Sequence, residues 1–137
     1  MLVDVWLVSW STEEAASVST ALAANPDDWR GVLADLRDRD DRDGSLEVVS
    51  AARMVAPAGE RGVLHVAPWS THGTEREYLL NVDRREDEYT LSFLLRETGR
   101  NARHLSWRGV IEIGADEATV VEAAPGWGLV VSTPVAP

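Results

Sequence analysis

Trp29-Arg-Gly-Val32-Leu33-Ala-Asp-Leu36-Arg-Asp-Arg-Asp-Asp-Arg-Asp-Gly44 carries the last helical periodicity in the chain. Trp29, Val32, Leu33 and Leu36 fall at i, i+3, i+4 and i+7, which puts them on one face of a helix. Gly31 weakens that helix, and the charged run from Arg37 to Gly44 reads as a turn. Upstream, Asn25 is positioned to cap the helix, with Pro26 at its first position and Asp27 and Asp28 near its positive end. An earlier helix opens on Ser11-Thr-Glu-Glu14, a capping-box pattern in which Ser11 accepts from the Glu14 amide and the Glu14 carboxylate reaches back. Its apolar stripe is Ala15, Val18, Ala21 and Leu22, and Asn25-Pro26 stops it. Before it, Leu2 to Trp10 is a nearly continuous apolar run and reads as a buried strand.

From Ser45 onward the period changes toward two. Leu46–Met54 and Gly62–Val66 read as strands separated by Ala56-Pro-Ala-Gly-Glu60, and Trp69-Ser-Thr-His-Gly-Thr74 as a loop. Tyr78, Leu80 and Val82 alternate with more polar residues, as do Tyr89, Leu91, Phe93 and Leu95. The connection Asp83-Arg-Arg-Glu-Asp-Glu88 makes these two runs a hairpin. Thr98-Gly-Arg-Asn-Ala-Arg103 reads as a loop. Short strands follow near Ser106–Ile113, Ala118–Ala123 and Gly128–Ser132, with an extended tail from Thr133 to Pro137. Helices are confined to one segment and strands to the rest. The pattern predicts a single α+β domain over residues 1–137. In it an N-terminal strand and two helices (residues 1–44) pack on a mainly antiparallel sheet of about six or seven strands drawn from residues 45–132.

The 137 residues include no Cys, no Lys and no Gln, and Arg supplies all 13 basic side chains. Without Cys there is no disulfide, thiolate nucleophile or thiolate metal site. Without Lys there is no Schiff base and no P-loop lysine. Arg standing throughout for Lys fits GC-rich bacterial coding. The first ten residues lack a basic n-region, and Asp4 interrupts their apolar run, so no signal peptide is predicted. No stretch approaches the roughly 20 apolar residues of a membrane span. The expectation is a cytoplasmic protein.

The 23 acids give a formal net charge of -10. That charge opposes approach to phosphate backbones, so nucleic-acid binding is not expected. It favours a basic protein surface as partner, because opposite fields speed association. The candidate partner-binding residues are Asp35, Asp38, Asp40, Asp41 and Asp43, together with Trp69 and Trp127, two tryptophans read as lying in Pro/Gly-rich loops. Trp6, Trp10 and Trp29 read as core. The segment from Arg96 to Arg108 is locally basic, and Arg96, Arg100, Arg103 and Arg108 are candidates for an anion site. His65, His72 and Glu75 could form a facial triad or an open zinc site, with His104 as fourth ligand or general base. Their spacing matches no zincin helix. No Gly-x-Ser-x-Gly elbow is present, and Gly126-Trp127-Gly128 is too short for a dinucleotide fingerprint.

Three functions are compatible with these features. The first is a small acidic binding protein, an immunity-type inhibitor or adaptor with no cofactor. The second is a ligand-binding protein or metal-dependent enzyme with its pocket around His65, His72, Glu75 and His104. The third is a structural or assembly subunit, with oligomeric state left open.

Overall fold

The computed structural model of the protein describes residues 2–43, 46–55, 59–71, 73–99 and 102–135, with the side chains of 40–43, 67, 68 and 71 excepted. The described elements run in the order β1 (Leu2–Ser9), α1 (Thr12–Ala24), a 3-10 turn (Pro26–Asp28), α2 (Trp29–Asp43), β2 (Glu47–Val55), β3 (Arg61–Thr71), β4 (Thr74–Arg85), β5 (Glu88–Gly99), β6 (His104–Glu112), β7 (Ala118–Ala124) and β8 (Trp127–Ser132). Helices and strands segregate along the chain as the sequence predicts. The sheet does not. The described strands form two four-stranded sheets, ordered β2-β1-β8-β7 and β3-β4-β5-β6, in place of one sheet of six or seven. Period-two alternation identifies strands but carries no record of which strand pairs with which. No described helix is long and apolar enough to cross a membrane.

The chain divides into two compact units, Met1–Arg53 with Ile113–Pro137 and Met54–Glu112. In the first, the two ends of the chain meet. β1 pairs antiparallel with β8 from Asp4↔Ser132 to Ser9↔Trp127, and β8 pairs antiparallel with β7. The helices cover one face of this sheet. Val8, Trp10, Val18, Leu22, Trp29, Leu33, Leu36, Leu46 and Val130 form one buried cluster, with Trp6, Val32 and Val120 packed against it. Apart from Ala21, both helical stripes read from the sequence lie in or against this cluster, and so do the three tryptophans assigned to the core. Burying side chains of this size contributes roughly 1.5–3 kcal/mol each.

The helical segment departs from its sequence pattern at three places. Asn25 closes α1, its amide donating to the Ala21 carbonyl at 3.1 Å. Its side chain caps nothing, and residues 26–28 form a 3-10 turn before α2 begins at Trp29. The α1 capping box is half formed. Ser11 Oγ accepts from the Glu14 amide at 3.2 Å, while the Glu14 carboxylate accepts from Arg39 at 2.5 Å instead of reaching back. The charged run after Leu36 is helix to Asp43 and not a turn. Nothing between Leu36 and Asp43 breaks a helix, and Arg39 binds both Glu14 and, at i,i+4, Asp35.

A Cβ on Gly128 would sit 2.4 Å from the Trp10 ring, so the indole lies directly on the β8 backbone. Gly128→Ala is expected to overpack this contact and to lower stability by about 1–3 kcal/mol in urea unfolding. An unchanged midpoint would mean that Trp10 is free to move away.

The second unit is an antiparallel meander. β4 and β5 pair over twelve positions from Thr74↔Gly99 to Arg85↔Glu88, and β3 and β6 flank them. The hairpin turn is tighter than its sequence suggests: only Glu86 and Asp87 lie outside the pairing, with Glu86 at φ 54°. β3 extends through residues read as a loop. Its register shifts between Val66 and Trp69, around Pro68. A proline is tolerated there because β3 is an edge strand. Tyr78, Leu80, Val82, Tyr89, Leu91, Phe93 and Leu95 are buried along one face, as their alternation predicts.

The Tyr78 hydroxyl is buried with no hydrogen-bond partner among the described residues, and burial pushes its phenol pKa up. Tyr78→Phe removes that unsatisfied group while keeping the ring. It is expected to be neutral or stabilising by about 1 kcal/mol, read from the denaturation midpoint. A clear loss of stability would reveal a partner for the hydroxyl.

Candidate functional site

The candidate metal ligands occupy separate places on the second sheet. His65 on β3 is opposite Leu79, and Glu75 on β4 is opposite Ser70. Their levels on β4 are therefore four residue steps apart, about 13 Å along the strand. His104 on β6 is opposite Arg96 on β5. It is three strands from β3, about 14 Å. His65 Nε2 lies 3.4 Å from the Glu77 carboxylate, and both side chains are exposed. His72 lies outside the described residues. Among the described residues no group of three or more His, Asp or Glu side chains is placed to hold a metal.

The candidate anion site divides between the two faces of the same sheet. Arg96 lies on the exposed face, 3.8 Å from Glu77, and Arg108 is exposed opposite Ser92. Arg103 belongs to the other face, bound to Glu97. Arg100 lies outside the described residues. Alternation separates the arginines that sequence proximity had grouped.

Glu97 is the centre of a charged cluster not foreseen from the sequence. Its carboxylate accepts from Arg76 Nε at 2.7 Å and from both Nε and Nη2 of Arg103, while its amide donates to the Arg103 carbonyl at 2.8 Å. The Glu97 side chain is 1% exposed and that of Arg76 10%. Burial pushes the Glu97 carboxyl up, but the hydrogen bonds and charges of Arg103 and Arg76 outweigh burial and hold it below the usual carboxylate range. A signal was present: Arg76 and Glu97 continue the alternation of Tyr78 and Leu95, at positions where apolar residues belong. This cluster pins the β5–β6 connection.

The partner-binding candidates belong mostly to the first unit. Asp35 is well exposed on α2 and 3.5 Å from Arg39. Asp38 is exposed on the same helix and engaged by a neighbour. The side chains of Asp40, Asp41 and Asp43 lie outside the described set. Trp69 and Trp127 are half-buried and stand in strands, not loops: Trp69 pairs with Arg76 beyond the β3 irregularity, and Trp127 opens β8. Pro125 and Gly126, the latter at φ 84°, make the turn before Trp127.

Division into units sharpens the charge distribution. The first unit holds fourteen acids and five arginines; the second holds nine acids and eight arginines. Nearly all of the net negative charge therefore belongs to the first unit. Asp4, Glu14 and Asp116 there are paired with Arg53, Arg39 and Arg30. Among the described residues Glu13, Asp27 and Glu122 have no cationic partner.

Between α1 and β7 runs a groove of about 260 Å³. Trp10 and Trp127 stand at one end, with Ala15, Ala16 and Ser19 of α1 on one side and Val120 and Glu122 of β7 on the other. No family model, curated protein or solved structure matches the chain.

Proposed function

We propose that the protein is a cytoplasmic, non-enzymatic binding module, an immunity-type inhibitor or adaptor, whose first unit docks on a basic protein surface. The concentration of net charge in that unit, fourteen acids against five arginines, carries this reading. A surface of one sign steers an oppositely charged partner and can raise its association rate by roughly 10- to 1,000-fold at low salt. The competing metal-site reading has its three described residues spread over three strands. The 35–43 run on α2 contributes less than its acid count suggests, because Arg37, Arg39 and Arg42 are interleaved with the aspartates.

Affinity capture on the immobilised protein tests the reading. A basic partner is expected to be retained at about 50 mM salt and largely released at about 300 mM, where the Debye length has fallen well below 10 Å. A retained partner that is acidic, or whose binding ignores salt, would contradict it.

A further inference from the structure

We propose that the groove between α1 and β7 receives an extended segment of the partner that carries arginine or lysine and adds alongside β7. This inference rests on the reading of the first unit as the docking surface and specifies where on it the partner binds. Among the described strands β7 ends its sheet and pairs only with β8. Sheet edges are ordinarily blunted with charge, proline or a bulge. β7 has a register irregularity between Glu122 and Ala124, but Ala118–Val121 before it is regular, half-buried and uncharged. A strand added at such an edge gains main-chain hydrogen bonds, and alternate side chains enter whatever pockets flank it.

The groove supplies those pockets. Trp10 is held in place at two points. Its amide donates to the Gly126 carbonyl at 2.9 Å, and its ring lies on Gly128. An aromatic wall fixed before binding loses little entropy when a partner arrives. Ala15, Ala16 and Ser19 keep the helix side shallow. Charge selects the occupant. Among the described residues Glu122 is the only ionisable one lining the groove; it is exposed, and no described cation pairs with it. Glu13 stands next to the groove residue Thr12 and is likewise without a cationic partner among the described residues. A cationic side chain entering the groove meets Glu122 within a unit of strongly negative charge, whereas an acidic segment is repelled.

Random seven-residue peptides displayed on phage and selected on the full chain provide the test. The selected peptides are expected to be enriched in Arg and Lys. Their affinity is expected to fall at least about tenfold for Ala16→Trp, which fills the groove from an exposed helical position, and for Glu122→Arg. It should be unchanged for Asp27→Asn, outside the groove. Circular dichroism and thermal unfolding establish that each variant is folded. Cationic peptides that bind Ala16→Trp as tightly as the native chain, or lose as much affinity with Asp27→Asn, would overturn the groove and leave the acidic-unit reading standing. Groove-dependent peptides without excess Arg or Lys would overturn both. Selection of no peptide would overturn the groove proposal alone.

Discussion

Glu97→Gln is expected to destabilise the protein by about 3 kcal/mol in urea unfolding at neutral pH. Its carboxylate joins two guanidiniums in a place that is nearly closed to water. Removing one member of a buried ion pair costs about 3–5 kcal/mol, since the remaining charge keeps its desolvation penalty. The lower end applies because Arg103 is 36% exposed and water screens part of its charge. Replacing the buried pair together, as in Arg76→Met with Glu97→Leu, should be milder than Glu97→Gln alone. The sign of the pH dependence follows from the depressed carboxyl pKa. The stabilisation is fully present above the unfolded-state value and is lost as pH falls through the lower folded-state value. Glu97→Gln should therefore remove part of the acid-side loss of stability. A variant with an unchanged acid limb and a loss under about 1 kcal/mol would show that the cluster holds nothing in place.

Trp29→Ala is expected to cost about 3–5 kcal/mol, the range for deleting a buried indole. Trp29 is 5% exposed within the helix-side cluster, its Nε1 donates to the Asp116 carbonyl at 3.0 Å, and the Arg30 guanidinium lies 4.3 Å from its ring centre. One side chain thus joins the start of α2 to the segment before β7. Trp29→Phe keeps most of the packing and loses the hydrogen bond, so about 1 kcal/mol is expected. Equal losses for the two variants would assign the whole effect to the hydrogen bond and contradict the packing explanation.

These contacts show where the sequence is informative. Trp29, Leu33 and Leu36 announce a helix face because helical periodicity is local, and Tyr78 to Leu95 announce a hairpin for the same reason. The pairing of β1 with β8 joins residues more than a hundred positions apart. No local pattern encodes it, and it is what divides the strands into two sheets. The run from Arg37 to Asp43 carries charge that reads as a turn signal, yet it is helical, and the ion pairs of Arg39 support it. The arginines near position 100 looked like one basic patch until alternation sent Arg96 and Arg103 to opposite faces. Glu97 and Arg76 could have been noticed as charges in apolar register. The groove could not, since it depends on β7 ending a sheet beside α1.

Charge placement gives the most direct test of the docking function. Quantitative capture of the same partner can be compared for the native chain, for a first-unit variant (Glu13→Gln, Asp28→Asn, Glu122→Gln) and for a second-unit variant of equal charge change at the β4–β5 turn (Glu86→Gln, Asp87→Asn, Glu88→Gln). All six acids are exposed. The expected result is a loss of at least about tenfold for the first-unit variant, with the second-unit variant close to native. Equal losses for both variants, or none for the first, would contradict docking through the acidic unit.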